Sequence, residues 1–391
     1  MENWKTYKLE EAIEKLIDYR GKTPKKTTHG VPLVTAKVIK GGRILEPKEF
    51  ISREDYEPWM RRGIPEVGDV VLTTEAPLGE VAQIKSADIA LAQRVITLRG
   101  KVGVLDSGYL KYFLQSSIGQ SRLEARQSGT TVFGIKQTEL RKVEVDCPSY
   151  SEQRAIASIL SALDDKIENN LAMNKTLEDM AMALYKHWFV DFGPFQEGNF
   201  IDSELGPIPE GWEVIKLEEL VEIKYGKDHK KLDSGNIPVY GSGGIMRYVD
   251  SFLYDKESVL VPRKGTLSNI FLVNVPFWSV DTMFYTKMKK DNILKYTFHL
   301  LKTLKLADMD VGSAVPSLTT KLLNFLDVIL PDQDVLKNFE EQVTELYEQI
   351  WANTNENQTL TQLRDTLLPK LISGEVRLAA FDEEITAALC P

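Results

Sequence analysis

The amino-acid sequence predicts an α+β fold. It comprises two similar globular domains separated by a long antiparallel two-helix coiled coil, the halves forming a pseudo-two-fold internal repeat. Three observations predict this. The chain has 391 residues, enough for two or three domains at about 150 residues each. It repeats itself at a shift of 183 residues: Gly129-Thr130-Thr131-Val132 resembles Gly312-Ser313-Ala314-Val315, and Pro148, Leu163, Ile167, Asn170, Asn174, Thr176, Leu177 and Leu184 recur as Pro331, Leu346, Ile350, Asn353, Asn357, Thr359, Leu360 and Leu367. Each half also ends on apolar residues whose spacing alternates four and three, the signature of a coiled-coil seam.

Taken in order, residues 1–150 form the first globular domain, 151–192 a long helix and 193–212 a linker; 213–332 form the second domain, 333–374 a second long helix and 375–391 a tail. In the first domain the apolar pattern predicts a helix over Leu9–Ile17. Strands follow at Val70–Leu72, Val81–Ile84 and Val95–Leu98, then a helix over Leu105–Arg126 and a strand over Val143–Cys147. The second domain repeats this with Leu217–Ile223, Val259–Val261, Ile270–Val273, Phe284–Thr286, Ile293–Leu306 and Leu326–Leu330. Further upstream, Lys8-Leu9-Glu10-Glu11 is echoed by Lys216-Leu217-Glu218-Glu219, and Leu110-Lys111-Tyr112 by Leu294-Lys295-Tyr296.

The first seam runs Ile156, Leu160, Leu163, Ile167, Asn170, Asn174, Leu177, Ala181, Leu184, Trp188. The second runs Phe339, Val343, Leu346, Ile350, Asn353, Asn357, Leu360, Leu367, Leu371, with Arg364 in the one slot not filled as expected and Leu363 beside it to cover it. Asparagines at core positions weaken a seam but fix its register. Antiparallel packing sets Asn170 opposite Asn357 and Asn174 opposite Asn353. A solvated, interrupted stripe is the other reading of these four residues. Pro369 lacks the helical N–H, so it is expected to kink or restart the second helix, which Ser373-Gly374 then stops. The linker, Gly193-Pro194 followed by Gly206-Pro207-Ile208-Pro209-Glu210-Gly211-Trp212, is rich in turn formers.

The formal net charge of −9 argues against a nucleic-acid partner when taken whole. It is unevenly spread. Residues 1–150 hold 24 Lys and Arg against 20 Asp and Glu, and 213–331 hold 16 against 14. The long helices, linker and tail carry the acidity. Two mildly basic domains on an acidic scaffold suit polyanion binding. No apolar run of about 18 residues predicts a membrane helix, and Met1–Lys5 lacks the pattern of a signal peptide. Two cysteines, Cys147 and Cys390, form no disulfide framework or C-x-x-C zinc motif. A cytoplasmic protein is expected.

Catalytic motifs are missing. Gly21-Lys22-Thr23 has the tail of a Walker loop, but Leu16 stands where its first glycine belongs. There is no G-x-S-x-G elbow, no Pro-Pro dipeptide for an amino-methyltransferase motif, and no ligand spacing among His29, His187, His229 and His299. Glu210 with Glu222-Ile223-Lys224 imitates a nuclease motif and reads instead as a helix face. Gly241-Ser242-Gly243-Gly244 is a flexible loop. The chain is expected to be non-catalytic, with no metal and no cofactor of its own.

What remains is basic loops with aromatics. The first helix of each half is followed by a Lys-rich turn: Arg20, Lys22, Lys25 and Lys26 in one, Lys227, Lys230 and Lys231 in the other. Gly and Pro project such turns, and their cations suit phosphates. Arg61, Arg62, Arg263 and Lys264 are further candidates; Arg94 and Arg247 could reach a guanine edge. A solvated surface or an internal ion pair is the competing reading at each position.

The residues also resemble a family, the specificity subunits (HsdS) of type I restriction–modification systems. Four segments carry the likeness. They are Pro148-Ser149-Tyr150-Ser151-Glu152-Gln153-Arg154-Ala155-Ile156, Leu184-Tyr185-Lys186-His187-Trp188-Phe189-Val190-Asp191-Phe192, Leu205-Gly206-Pro207-Ile208-Pro209-Glu210-Gly211-Trp212, and Leu363 through Glu375 with its Leu368-Pro369-Lys370-Leu371-Ile372-Ser373-Gly374 core. The second half departs from the pattern with Asp332-Gln333-Asp334 where the first has Glu152-Gln153. The resemblance implies that the globular domains are target-recognition domains, each reading one half of a split double-stranded DNA sequence. It implies that the helices set the spacer and dock two methyltransferase subunits. S-adenosylmethionine, Mg and ATP would sit on partner subunits, including a restriction/translocase subunit where the system has one. A stand-alone DNA-binding regulator and a protein-binding scaffold are the alternative readings, and an enzyme with an unrecognised site is a third.

Overall fold

A computed structural model describes residues 4–19, 23–129, 132–309 and 317–378. The chain divides into two compact units. One combines Met1–Asn170 with Asn355–Pro391; the other is Leu171–Thr354. Two long helices, Tyr150–Phe189 with 40 residues and Gln333–Ser373 with 41, each contribute one half to each unit.

In the first unit, strand Lys5–Lys8 pairs antiparallel with Glu144–Cys147. Lys8 then caps a single helical turn, Leu9–Ala12, with Glu11 accepting from the Lys8 backbone N–H at 3.1 Å. The turn stops there. Ile13–Asp18 is a strand, not the continuation of a helix, because it pairs along Val95–Gly100. Ladder hydrogen bonds outweigh the local helical pattern. The sheet has four antiparallel strands in the order Ile13–Asp18, Val95–Gly100, Val70–Thr74, Leu78–Gln83. A second sheet, absent from the sequence expectation, sets Val31–Val34 between Phe50–Ile51 and a parallel Ala90–Leu91.

The expected helix Leu105–Arg126 is two helices, Ser107–Gln115 and Ser117–Glu124. Ser116 breaks it in extended conformation and caps the second through Gly119 N–H at 3.1 Å. One core gathers Leu72, Ile96, Tyr109 and Phe113 against Ile156 and Leu160 of the first long helix and Leu371 of the second. A smaller core around Ile17, Val31, Leu91 and Val95 joins the two sheets.

The second unit has the same plan. Glu213–Lys216 pairs with Asp327–Leu330, and Lys216 with Glu219 repeats the capping box on the single turn Leu217–Leu220. The four-stranded order is Val221–Tyr225, Met283–Met288, Ser258–Pro262, Phe271–Val273. The second sheet places Ser234–Gly241 between Gly244–Val249 and a parallel Trp278–Ser279. Glu222 and Lys224 thus lie on a strand and pair with each other at 2.6 Å; they are not a helix face. Gly241–Gly244 is the tip of a hairpin. The 193–212 segment is no free linker: Ile208 and Trp212 are buried in this unit's core beside Phe189.

The long helices run antiparallel within each unit. In the first, Asp164 meets Arg364 and Asn170 meets Asn357. In the second, Asn174 meets Asn353, and Phe339 packs on Tyr185. Arg364 fills its own slot through its bond to Asp164, at 3.0 Å. Leu363 does not cover it; it is 45% exposed. The second helix continues through Pro369 to Ser373 without restarting. Gly374, at φ +73, ends it in the left-handed conformation.

The Pro148–Gln153 segment is a bracket. The Gln153 side chain accepts from Asp106 N–H and donates to the carbonyls of Val104 and Pro148. Glu152 holds Arg377 by two bonds, of 2.8 and 3.1 Å. In the second half Gln333 donates to the Asp291 carbonyl at 3.1 Å, so a single glutamine keeps part of that role. No helix of the described residues is long and apolar enough to cross a membrane.

Candidate nucleic-acid interface

Strand Ile13–Asp18 delivers the chain to the first Lys-rich turn. Arg20 and Lys22 lie outside the described residues. The rest of the turn, Thr23–Lys26, separates two clefts. One, of about 320 Å³, is lined by Lys25, Arg61 and Arg62 over a floor of Tyr19 and Trp59. The other, of about 250 Å³, is lined by Lys26, Lys37 and Arg94 with Ala76 and Glu49. Thr23 pins the turn by donating to the Gln93 side chain at 2.9 Å.

Each group in the first cleft has a cause. Tyr19 and Trp59 stack with ring centroids 5.7 Å apart. The Tyr19 hydroxyl donates to the Gly63 carbonyl, and burial pushes its pKa up to about 12, so it stays a neutral donor. Trp59 Nε1 donates to the Leu91 carbonyl at 2.9 Å, which leaves its ring face for packing. Arg62 donates to the Asp18 carbonyl at 2.8 Å and so fixes the cleft's rim. Lys25 and Arg61 are exposed. In the second cleft Lys26 pairs with Glu49 at 2.9 Å, and Arg94 with Glu75 at 2.8 Å. Both pairs are exposed enough to be worth little in water, so a phosphate could displace either carboxylate at small cost.

In the second unit Val221–Tyr225 plays the part of Ile13–Asp18. Gly226 follows, where a Cβ would lie 2.0 Å from the Val280 carbonyl oxygen; only glycine lets the turn leave the sheet there. Lys227 is anchored by its backbone, donating to Ser279 and accepting from Trp278 Nε1, while its side chain and those of Lys230 and Lys231 are exposed. Arg263 lies 5.4 Å from the Tyr225 ring and donates to the Asp281 carbonyl at 3.2 Å. Lys264 beside it is exposed. Arg247 is different: it is half-buried and donates to the Leu232 carbonyl at 2.6 Å, closing the Lys-rich turn onto the hairpin. That internal bond occupies one of the two terminal nitrogens that a bidentate guanine contact uses.

The structure therefore brings Lys25, Arg61 and Arg62 together, and Lys26 with Arg94. It sets Arg263 and Lys264 at the end of Ser258–Pro262, which Met283–Met288 separates from the Val221–Tyr225 strand leading to Lys227. Sequence reasoning missed Tyr19, Trp59 and Lys37. Trp59 lies in a helix, Arg53–Trp59, whose serine cap (Ser52, followed by Glu54 and Asp55) was legible in the sequence. Among the described residues no group of three or more His, Cys, Asp or Glu could hold a metal ion.

Both units tie the globular block to the long helix that follows it through a buried lysine. Lys111 meets Asp164 at 2.7 Å, and Lys295, its counterpart in the repeat, meets Glu340 at 2.7 Å. The sequence profile of the type I restriction modification DNA specificity domain matches residues 1–179 and 209–362, one stretch in each half of the repeat. The chain belongs to that family.

This specificity subunit is 29% identical, over 80% of its own length and 78% of the relative's, to the type I restriction enzyme MjaIX specificity subunit of Methanocaldococcus jannaschii. It is 22% identical to the HindI specificity subunit of Haemophilus influenzae, over 60% of this chain and 69% of that one. Its fold is shared with the crystal structure of a type I restriction–modification S subunit from M. genitalium: TM-score 0.61, 20% identity, 94% of this chain and 96% of the other covered. The role of this family is DNA sequence specificity; both cationic clefts described above lie in the first unit, and the second unit carries exposed basic side chains at Lys227, Lys230, Lys231 and Lys264.

Proposed function

We propose that this specificity subunit reads a two-part double-stranded DNA target, one half with each domain. The antiparallel helices fix the spacer between the halves and dock two methyltransferase subunits. The chain itself is non-catalytic. S-adenosylmethionine, Mg and ATP belong to partner subunits, the last with a restriction/translocase subunit, and the assembly works in the cytoplasm. One observation carries the reading: the same sheet order occurs in both units, and in each a basic turn leaves the first strand of the sheet at the same point. A reader duplicated in one chain suits a target duplicated in one sequence. The weak positive balance of the domains makes binding depend on the complex, since non-specific affinity follows the number of phosphate contacts.

Sequencing of methylated adenines in DNA modified by the reconstituted complex tests this. Two short specified half-sites with a fixed unspecified gap are expected, and a gel-shift series should show tight binding only with the methyltransferase subunits present. A continuous motif would refute bipartite reading. Tight, specific binding by the isolated chain would favour the stand-alone regulator.

A further inference from the structure

Of the repeated Gly129-Thr130-Thr131-Val132 motif, Gly129 and Val132 are described and Thr130 and Thr131 lie outside the described residues; the backbone on either side is closed by hydrogen bonds. Ser128 and Gly134 exchange both backbone hydrogen bonds, at 2.8 and 3.0 Å, and Ile135 N–H donates to the Thr74 carbonyl at 3.0 Å. Gly129 has φ +123, and a Cβ there would lie 2.1 Å from the Val132 carbonyl oxygen, so the closure requires glycine. The loop nonetheless presents two adjacent apolar side chains to solvent: Val132 is 55% and Phe133 53% exposed. Scattered apolar residues on a surface are ordinary. A pinned loop that holds an aromatic ring outward, next to a second apolar side chain, is not explained by packing.

Its neighbours say what it meets. Gly134 is bridged to Glu75. Glu75 holds Arg94, and Arg94 and Ala76 line the cleft that also contains Lys26 and Lys37. The residue after the apolar tip is therefore bridged to the carboxylate that holds Arg94, one of the three cations lining that cleft. Duplex DNA is the partner with that pairing of chemistries. Its phosphates meet cations, and its base-pair steps accept apolar wedges that partly unstack them.

We infer that Phe133, supported by Val132, is a wedge that the first domain presses against one base-pair step of its half-site. This rests on the DNA-reading function proposed above. The repeat places Pro316 at the position of Phe133, outside the described residues, so the aromatic wedge belongs to the first domain alone.

The test uses the complex of the full chain with its methyltransferase subunits and target duplexes carrying 2-aminopurine at successive positions of both half-sites. Binding of the wild-type complex should brighten the probe at one step in one half-site, away from the methylated adenine. Phe133→Ala should lose that signal, and Phe133→Leu should keep part of it. Phe133 is exposed, so an unchanged melting curve for Phe133→Ala confirms folding. Brightening that survives in Phe133→Ala, or no brightening outside the methylated adenine in a complex that binds its target, overturns the wedge alone. Failure of the wild-type complex to bind any two-part target overturns the function reading and the wedge with it. Loss of the methyltransferase subunits from the Phe133→Ala complex would assign the tip to protein contact and overturn the wedge.

Discussion

Asn170 donates its side-chain amide to the Asn357 Oδ1 at 2.9 Å. The same nitrogen reaches Glu356 at 2.7 Å, which Lys166 also holds. In the second unit Asn353 donates to Asn174 Oδ1 at 2.8 Å, and Asn174 donates onward to the Ile350 carbonyl and Thr354. Asn170, Asn174 and Asn353 are buried. Their bonds are directional, so sliding either helix by a turn would strand buried amides, at about 1–3 kcal/mol for each unsatisfied group.

Replacing all four asparagines by leucine is therefore expected to raise the melting temperature while allowing more than one association state. Calorimetry and size-exclusion chromatography measure the two effects. An unchanged melting temperature with a single species would remove the register role.

Asp164 is the counterpart at the first unit's helix junction. Burial pushes its carboxyl pKa up, but the bonds from Lys111, Arg364 and Tyr112 outweigh that and hold it below the usual carboxylate range. A carboxylate with a depressed folded pKa stabilises above its unfolded pKa of about 3.9 and loses that stability as pH falls through the folded value. The wild-type melting temperature should drop as pH falls below about 4, and Asp164→Asn should flatten this part of the curve. Asp164→Ala leaves Lys111 buried without its partner and should cost about 3–5 kcal/mol.

His299 gives the second unit a different pH window. Burial pushes its pKa down to about 3, against an ordinary value near 6.5. Tyr347 bonds its Nε2 at 3.0 Å, Tyr185 stacks on it, and nearby Lys302 further disfavours its charge. Here the unfolded state binds the extra proton. Stability is complete above about pH 6.5 and declines toward pH 3, at up to about 1.4 kcal/mol per pH unit. His299→Phe should remove that slope between pH 6.5 and 4, as denaturant melts would measure.

Lys25 and Arg61 test the cleft. Replacing either by alanine should weaken DNA binding by the assembled complex to the same degree on cognate and non-cognate duplexes. Each lost phosphate contact should reduce the slope of log K against log salt by about 0.9. An unchanged slope for Lys25→Ala/Arg61→Ala would place DNA elsewhere on the domain.

Much of this was legible in the sequence, for physical reasons. Most seam positions read true because a helix buries every third or fourth residue over ten turns, although Tyr185, Phe189 and Tyr347 are buried where Leu184, Trp188 and Leu346 beside them are only partly so. The asparagine pairing followed from the repeat and antiparallel geometry. Short elements were less legible. Ile13–Asp18 follows a capping box and carries helix formers, and only its distant partner Val95–Gly100 makes it a strand. In the first unit the second sheet escaped because strands such as Ala90–Leu91 are two residues long and owe their form to a parallel neighbour; in the second unit Ser234–Gly241 and Gly244–Val249 are longer, but their glycines and exposed side chains mask the strand pattern. Of the candidate cations, Arg247 turned out to donate to the Leu232 carbonyl fifteen residues upstream, and the aromatic floor of Tyr19 and Trp59 depends on residues forty positions apart. No local pattern encodes either.

We propose that one chain carries two readers at a spacing set by its helices. Inserting seven residues at matching points of both long helices adds about 10 Å to each, the rise of about three base pairs. Sequencing of methylated adenines should then return the same two half-sites with a gap longer by about three base pairs; the same half-sites at an unchanged gap would contradict the claim.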